Sequence, residues 1–284
     1  MTLNRRTALG LAALAVAPAT ATARTPTSDP VAPPDPDETI RLWPDGAPGG
    51  DAVSVTPRVV ERSTNPAFHD RFAQYTTDPF LTVLRPARPN GASLLLIPGP
   101  LQDAQRALRL VRSRATADGL DPTRVAVLGA SAGGHLAGLL TARPDATYAP
   151  VDAADAVPFR PDLSILMYPV ATMADPFVHA GSRAELLGPA PTAATIDAYS
   201  LERIDWTGAP PTFLLHALDD GAVPVENSLA LLSALRAHSV PAEAHLFEEG
   251  GHGFGIRLIA GRPAAVWPEL VLAWAARHGW TTWA

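Results

Sequence analysis

The chain has 284 residues, 47% of them hydrophobic, which suits one large α/β domain with a packed core. It has no cysteine and no lysine, all 22 basic residues being arginine. Disulfides, thiolate metal sites, cysteine nucleophiles, lysine-bearing phosphate loops and Schiff-base chemistry are therefore excluded. A net charge of −6 argues against nucleic acid as a partner.

In chain order, residues 1–23 (MTLNRRTALGLAALAVAPATATA) read as an export signal. Arg5 and Arg6 precede an apolar stretch at residues 8–17, and Ala21-Thr22-Ala23 fits an A-x-A cleavage site. The paired arginines suggest twin-arginine export, with the general secretory route as the alternative, and hence a periplasmic or secreted location. The apolar run is too short to span a bilayer and Pro18 interrupts it, so no membrane span is expected. Cleavage would take the net charge from −6 to −8. Residues 24–37, rich in Pro, Thr and Asp, read as a linker, and residues 38–284 as the folded domain.

Strand character is expected at residues 53–63, 80–85 and 93–97, the last following a turn signal at Pro89-Asn90-Gly91. Leu101, Ala104, Leu108, Val111 and Ala115 recur at helical spacing and predict an amphipathic helix over 101–118, stopped by Gly119. Arg106, Arg109, Arg112 and Arg114 fall mostly off its apolar face. Strands at 125–128, 163–168, 212–216 and 243–247 then alternate with helices at 132–141, 182–187, 225–238 and 264–278. Such alternation predicts a mostly parallel sheet flanked by helices on both faces.

Gly129-Ala130-Ser131-Ala132-Gly133 matches G-x-S-x-G between a predicted strand and a predicted helix. A turn this tight leaves Ser131 exposed as a nucleophile, with the Ala132 N–H at a helix start facing an oxyanion. The plainer alternative, a helix start with an incidental serine, does not account for the strand and helix on either side. The segment HALDDGAVP, residues 216–224, matches the H-G-x-x-D-x-x-V-P form of serine hydrolases, with Ala217 in the glycine position. That register makes Asp220 the acid in preference to Asp219. The alternative is a polar loop whose aspartates are solvated or cap the next helix.

His252, in the glycine-rich EEGGHGFG, is the candidate base, and Ser131, Asp220 and His252 follow the chain order of α/β-hydrolases. Among the other histidines, His216 reads as a packed strand end, His245 as a strand residue and His135 as support for the elbow. His238 and His278 suit helix C-termini, and His179 precedes the predicted helix at 182–187. His245, Glu248, Glu249 and His252 lack HExxH spacing, and a strand-to-loop setting would point them apart, so no metal is expected. The chemistry needs no cofactor.

On DPTRVAVLGASAGGHLAG, ILMYPV, PPTFLLHALDDGAVPVENSLALLSALRA and EEGGHGFG, the chain resembles α/β-hydrolases, and within them exported bacterial esterases related to acetyl xylan esterases. The resemblance implies an ester substrate, with acylated xylan or an oligosaccharide as its class. Cleavage of a glycosidic bond would need two carboxylates flanking that bond, which the adjacent Asp219 and Asp220 cannot supply together.

The same resemblance exposes a gap. Members continue from IPG through further glycines, a helix and a parallel strand before reaching PLQDAQRA. Here Pro98 and Ser131 are 33 positions apart, room for one crossover of roughly 30 residues. One helix and one strand are expected to be missing between Gly99 and Leu101. The lost strand would normally lie between its neighbours, so the sheet must close up or stay imperfect. Pro98 and Pro100 have no N–H, which leaves those of Gly99 and Leu101 at the helix start, with Gly99 as the candidate second oxyanion donor beside Ala132. A non-catalytic homologue is accordingly the second reading. The sequence carries no signal of oligomeric state.

Overall fold

The computed structural model describes residues 36–52, 54–61, 71–97, 100–256 and 259–281. The expected export signal, nearly all of the linker, and Pro98 and Gly99 lie outside the described residues. β1 (Glu38–Arg41), β2 (Arg58–Glu61), β3 (Arg71–Gln74) and β4 (Phe80–Val83) form two antiparallel ribbons, β1 with β4 and β2 with β3. The rest alternates: β5 (Ser93–Leu96), α1 (Leu101–Arg114), β6 (Val125–Ala130), α2 (Ala132–Ala142), β7 (Leu163–Met167), α3 (Ala180–Leu187), α4 (Ala193–Tyr199), β8 (Thr212–Ala217), α5 (Glu226–Ala237), β9 (Ala242–Phe247) and α6 (Trp267–Arg277).

β5 to β9 make one parallel sheet in sequential order. β7 and β8 bury every residue, as expected of strands covered on both faces. Each crossover steps in the same direction. Right-handed connections that all step one way place their helices on one face. Accordingly, Leu108 of α1, Leu140 of α2 and Leu235 of α5 share a core with Leu95, Val127 and Leu214. The opposite face carries Ile165, Met167, Phe213 and Leu215, and α6 covers it with Trp267, Val271 and Trp274.

The strand register answers the question of the missing segment. β5 pairs directly with β6, from Ser93↔Val125 to Leu96↔Leu128, so no gap separates them. Of the two outcomes expected for a missing strand, closure or an imperfect sheet, the pairing shows closure. A strand added at the other edge of β5 would reverse the direction of stepping, and its right-handed crossover helix would fall on the α6 face. That is where cover is lacking: Leu95 is 7% exposed, while Leu94 and Leu96, on the α6 face, are 40% and 64% exposed.

Boundaries differ locally from expectation. α1 ends at Arg114, because Ala115 N–H turns back to Arg112 O and the chain tightens towards Gly119, whose φ is 68°. β1, β3 and α4 carry no expected counterpart; each is four to seven residues long, too short to show a period. Among the described residues no helix is long and apolar enough to cross a membrane.

Two arginines expected off the apolar face of α1 are buried, Arg106 at 1% exposure and Arg109 at 8%. Arg106 donates to Leu42 O (2.9 Å) and to both Asp152 oxygens (2.8 and 2.5 Å), and lies 3.0 Å from Asp155. Arg109 donates to Val157 O at 3.1 Å and sits over the rings of Tyr148 and Phe159. The Tyr148 hydroxyl donates to Asp155 at 2.5 Å. This network fastens α1 to the segment between α2 and β7. Burial alone would raise Asp155, but Tyr148, the Val151 N–H and Arg106 hold it below the usual carboxylate range. Arg106 does the same for Asp152.

Two outcomes follow. Leu95→Ala should cost about 2–5 kcal/mol in urea unfolding, and Leu96→Ala within about 0.5 kcal/mol. Because the folded pKa values of Asp152 and Asp155 are depressed, their contribution is complete above the unfolded value of about 3.9 and is lost as pH falls through the folded values. Thermal scans should show this loss only below about pH 4, and it should shrink in Asp155→Asn. That variant should cost about 3–5 kcal/mol at pH 7.

Candidate active site

The carboxyl ends of β6, β7, β8 and β9 lie along one edge of the sheet. Open α/β sheets bind their ligands outside this edge. Ser131 sits there, between β6 and α2, with φ 57° and ψ −121°. A non-glycine residue keeps such a backbone only when its surroundings hold it. Ser131 N–H donates to Met167 O (3.0 Å), and its carbonyl accepts from Val170 (3.1 Å), Gly134 (3.0 Å) and His135 (3.2 Å). The turn is tight enough that a Cβ on Gly129 would overlap the Gly133 carbonyl. One on Gly133 would stand 2.5 Å from Ile97 O. Small residues are therefore required on either side of the serine.

Ser131 Oγ is 2.9 Å from His252 Nε2, and His252 Nδ1 is 2.8 Å from Asp220 Oδ2. The three residues picked from the sequence are thus brought together across 121 and 32 positions of chain. Gly251 and Gly253 flank His252 with φ of 66° and 71°, which lets its loop fold back over the strand ends. The Asp220 side chain is fully buried. Burial favours its neutral form, but the Val223 N–H, His252 and the Ala222 N–H hold the carboxyl below its ordinary range. It therefore stays ionised and accepts a hydrogen bond from Nδ1–H, leaving Nε2 free to accept from Ser131.

Asp219 and Asp220 divide the work. Asp219 Oδ1 accepts from Gly250 N–H (2.9 Å) and Gly251 N–H (2.7 Å), so it grips the loop while Asp220 grips the ring. Sequence reasoning had left Asp219 without a role. Tyr168 was also missed. It follows β7 with φ 35°, and its buried ring meets His252 at 5.2 Å and Phe254 at 4.8 Å, edge to face. The only local signal was its place at the strand end before Pro169.

The other histidines among the described residues have structural partners. His135 is buried and donates to Tyr199 O at 2.8 Å, while His179 caps α3 by accepting from Ser182. His238 and His278 cap the ends of α5 and α6. His245 stacks on Phe213 and pairs with Glu243, apart from the partners of His252. Among the described residues no group of three or more His, Asp or Glu is arranged to hold a metal ion. Ala132 is the first residue of α2, where the N–H has no intrahelical acceptor. Gly99 lies outside the described residues, although the carbonyl of Ile97 lies against Gly133.

The family model for the alpha/beta hydrolase fold matches residues 95–256, and the chain belongs to this family. It is 35% identical over 163 residues to endo-1,4-beta-xylanase B of Butyrivibrio fibrisolvens, covering 55% of this chain and 25% of that protein. It is 31% identical over 160 residues to the acetylxylan esterase of Xylanibacter ruminicola, covering 55% and 31%. The chain spans about a quarter to a third of the length of these curated relatives. Among solved structures, the acetyl ester-xyloside bifunctional hydrolase of Caldicellulosiruptor lactoaceticus superposes with a TM-score of 0.68 at 29% identity, covering 87% of this chain and 98% of that one.

The loop contact of Asp219 is open to test. Asp219→Ala, which removes both loop hydrogen bonds, should lower kcat on a small ester about tenfold or more. Asp219→Asn, which keeps the accepting oxygen, should retain most of the rate.

Proposed function

We propose that the protein is a serine carboxylic-ester hydrolase. The observation that carries this reading is the unbroken chain from Ser131 Oγ through both nitrogens of His252 to an ionised Asp220, with the serine at a strained elbow. In this reading His252 takes the proton of Ser131 as Oγ attacks the ester carbonyl. Asp220 holds the ring in the required tautomer and stabilises the imidazolium. The tetrahedral oxyanion forms over the start of α2, where the Ala132 N–H and the positive helix end face it. His252 then protonates the departing alkoxide, and the carbonyl re-forms as an acyl-enzyme on Ser131. Water, deprotonated by His252, releases the acid and restores the serine.

Gly99 is the second oxyanion donor in this reading, with the Leu101 N–H at the start of α1 as the other one nearby, since Pro98 and Pro100 have none. The approach of Ile97 O to Gly133 supports it, since the chain leaves β5 beside the first turn of α2. The substrate class is an acetylated or similarly acylated plant polysaccharide, or a small ester. Its support is the naming of the relatives as an acetylxylan esterase and an acetyl ester-xyloside hydrolase. Glycosidic cleavage is the weaker reading, since Asp220 is committed to His252 and Asp219 to the loop amides, neither across a bond from the other.

A serine-directed phosphonate should add once, at Ser131 by peptide mass spectrometry, and the adduct should vanish in His252→Ala. Ser131→Ala should lower the release of acetate from p-nitrophenyl acetate and acetylated xylan by about 10⁴-fold or more. Failure of the cooperatively folded protein to label would sink the proposal. Acetate release from the small ester alone would retain the mechanism and remove the polysaccharide.

A further inference from the structure

A second histidine touches the acid. His216, the fifth residue of β8, is fully buried, and neither the elbow nor the base motif involves it. Its Nε2 is 3.0 Å from Val223 O and 3.2 Å from Asp220 Oδ2, and its Nδ1 is 2.8 Å from Ser228 Oγ on α5. These partners define the tautomer. A backbone carbonyl and an ionised carboxylate can only accept, so Nε2 carries the hydrogen. Nδ1 then accepts from the Ser228 hydroxyl.

The Asp220 carboxylate is therefore held at both oxygens. Oδ1 accepts from the N–H groups of Ala222 and Val223, both at 2.9 Å, while Oδ2 accepts from His252 Nδ1 and lies 3.2 Å from His216 Nε2, whose single hydrogen also faces Val223 O. The titratable groups facing this carboxylate are His216 from β8, His252 from the loop after β9, and Tyr168 from the end of β7. Burial keeps His216 neutral, so it contributes a donor and no charge.

We propose that His216 is a positioning residue for the reaction, resting on the serine-hydrolase reading above. Its Nε2–H, aligned by Ser228, sets the plane of the Asp220 carboxylate and takes part of the charge on Oδ2 that would otherwise act on His252. Two consequences distinguish this from simple packing. Without the donor, the carboxylate loses one of its restraints and the rate falls. The freed Oδ2 also attracts the His252 imidazolium more strongly, so the base protonates at higher pH.

The test compares His216→Leu with His216→Gln, whose amide reaches the position of Nε2 and has two hydrogens for Val223 O and Asp220. With p-nitrophenyl acetate as substrate, His216→Leu should lower kcat about 10- to 100-fold with KM within about twofold. It should also move the acid limb of kcat/KM up by about half to one pH unit. His216→Gln should recover most of the rate and return the limb. An unmoved limb in His216→Leu, or a Gln variant as impaired as Leu while folded, would overturn the proposal. Nitrogen-15 NMR of the unmodified protein reads the tautomer directly should His216→Leu not fold. A neutral His216 with its proton on Nε2, whose shifts respond to Asp220→Asn, is expected, and a proton on Nδ1 would overturn it. If the wild-type protein fails to hydrolyse the ester, the serine-hydrolase reading falls. The tautomer measurement would still decide the His216–Asp220 bond.

Discussion

The backbone of Ser131 is the constraint on which the site depends. Its φ of 57° places the side chain above the sheet edge, at a cost of order 1–3 kcal/mol for such a conformation. The hydrogen bonds that hold it come from three elements: Met167 at the end of β7, Val170 just beyond it, and Gly134 and His135 in the first turn of α2. The elbow is therefore a property of the parallel sheet, not of the pentapeptide. Adjacent parallel strands end together, and only there can the carbonyl of one strand receive the N–H of the next strand's turn.

From that fixed point, base and acid are set by the same edge. β8 delivers His216, Asp219 and Asp220 within five residues of chain, and β9 delivers the loop of His252. Two adjacent carboxylates take opposite tasks because successive residues after a strand point in different directions. One faces the loop amides, the other the imidazole. The low dielectric around Asp220 raises the cost of its charge, and the donors gathered on both oxygens offset it. A buried acid surrounded in this way has little freedom to rotate.

The lopsided cover of the sheet follows from chirality. Crossovers that all step one way put α1, α2 and α5 on one face, leaving α6 to protect the other. α6 packs over β7 and β8 and does not extend to the outer part of β5, where Leu94 and Leu96 meet solvent. The candidate site draws on β6 to β9, the well-covered part of the sheet. Serine, histidine and aspartate thus stand away from this thinly covered edge, which meets the site only where the chain leaves β5.

Local pattern determined much of this protein. The alternation of apolar runs with helical periods defined the parallel sheet. The elbow motif, the register of HALDDGAVP and the glycine-rich loop singled out Ser131, Asp220 and His252, because each motif is read within a few residues of its own strand end. Tertiary structure alone decided the rest. Arg106 and Arg109 fall off the apolar face that the helical period defines, yet they are buried because Asp152 and Asp155, more than 40 residues away in sequence, supply their counter-charge. Asp219 and Tyr168 acquired partners only when the loop after β9 came beside the ends of β8 and β7, and His216 only when the chain beyond β8 turned back into α5. A period along the chain reports which residues share a face of an element. It does not report what packs against that face, which is a contact between distant segments and exists only once the sheet has formed.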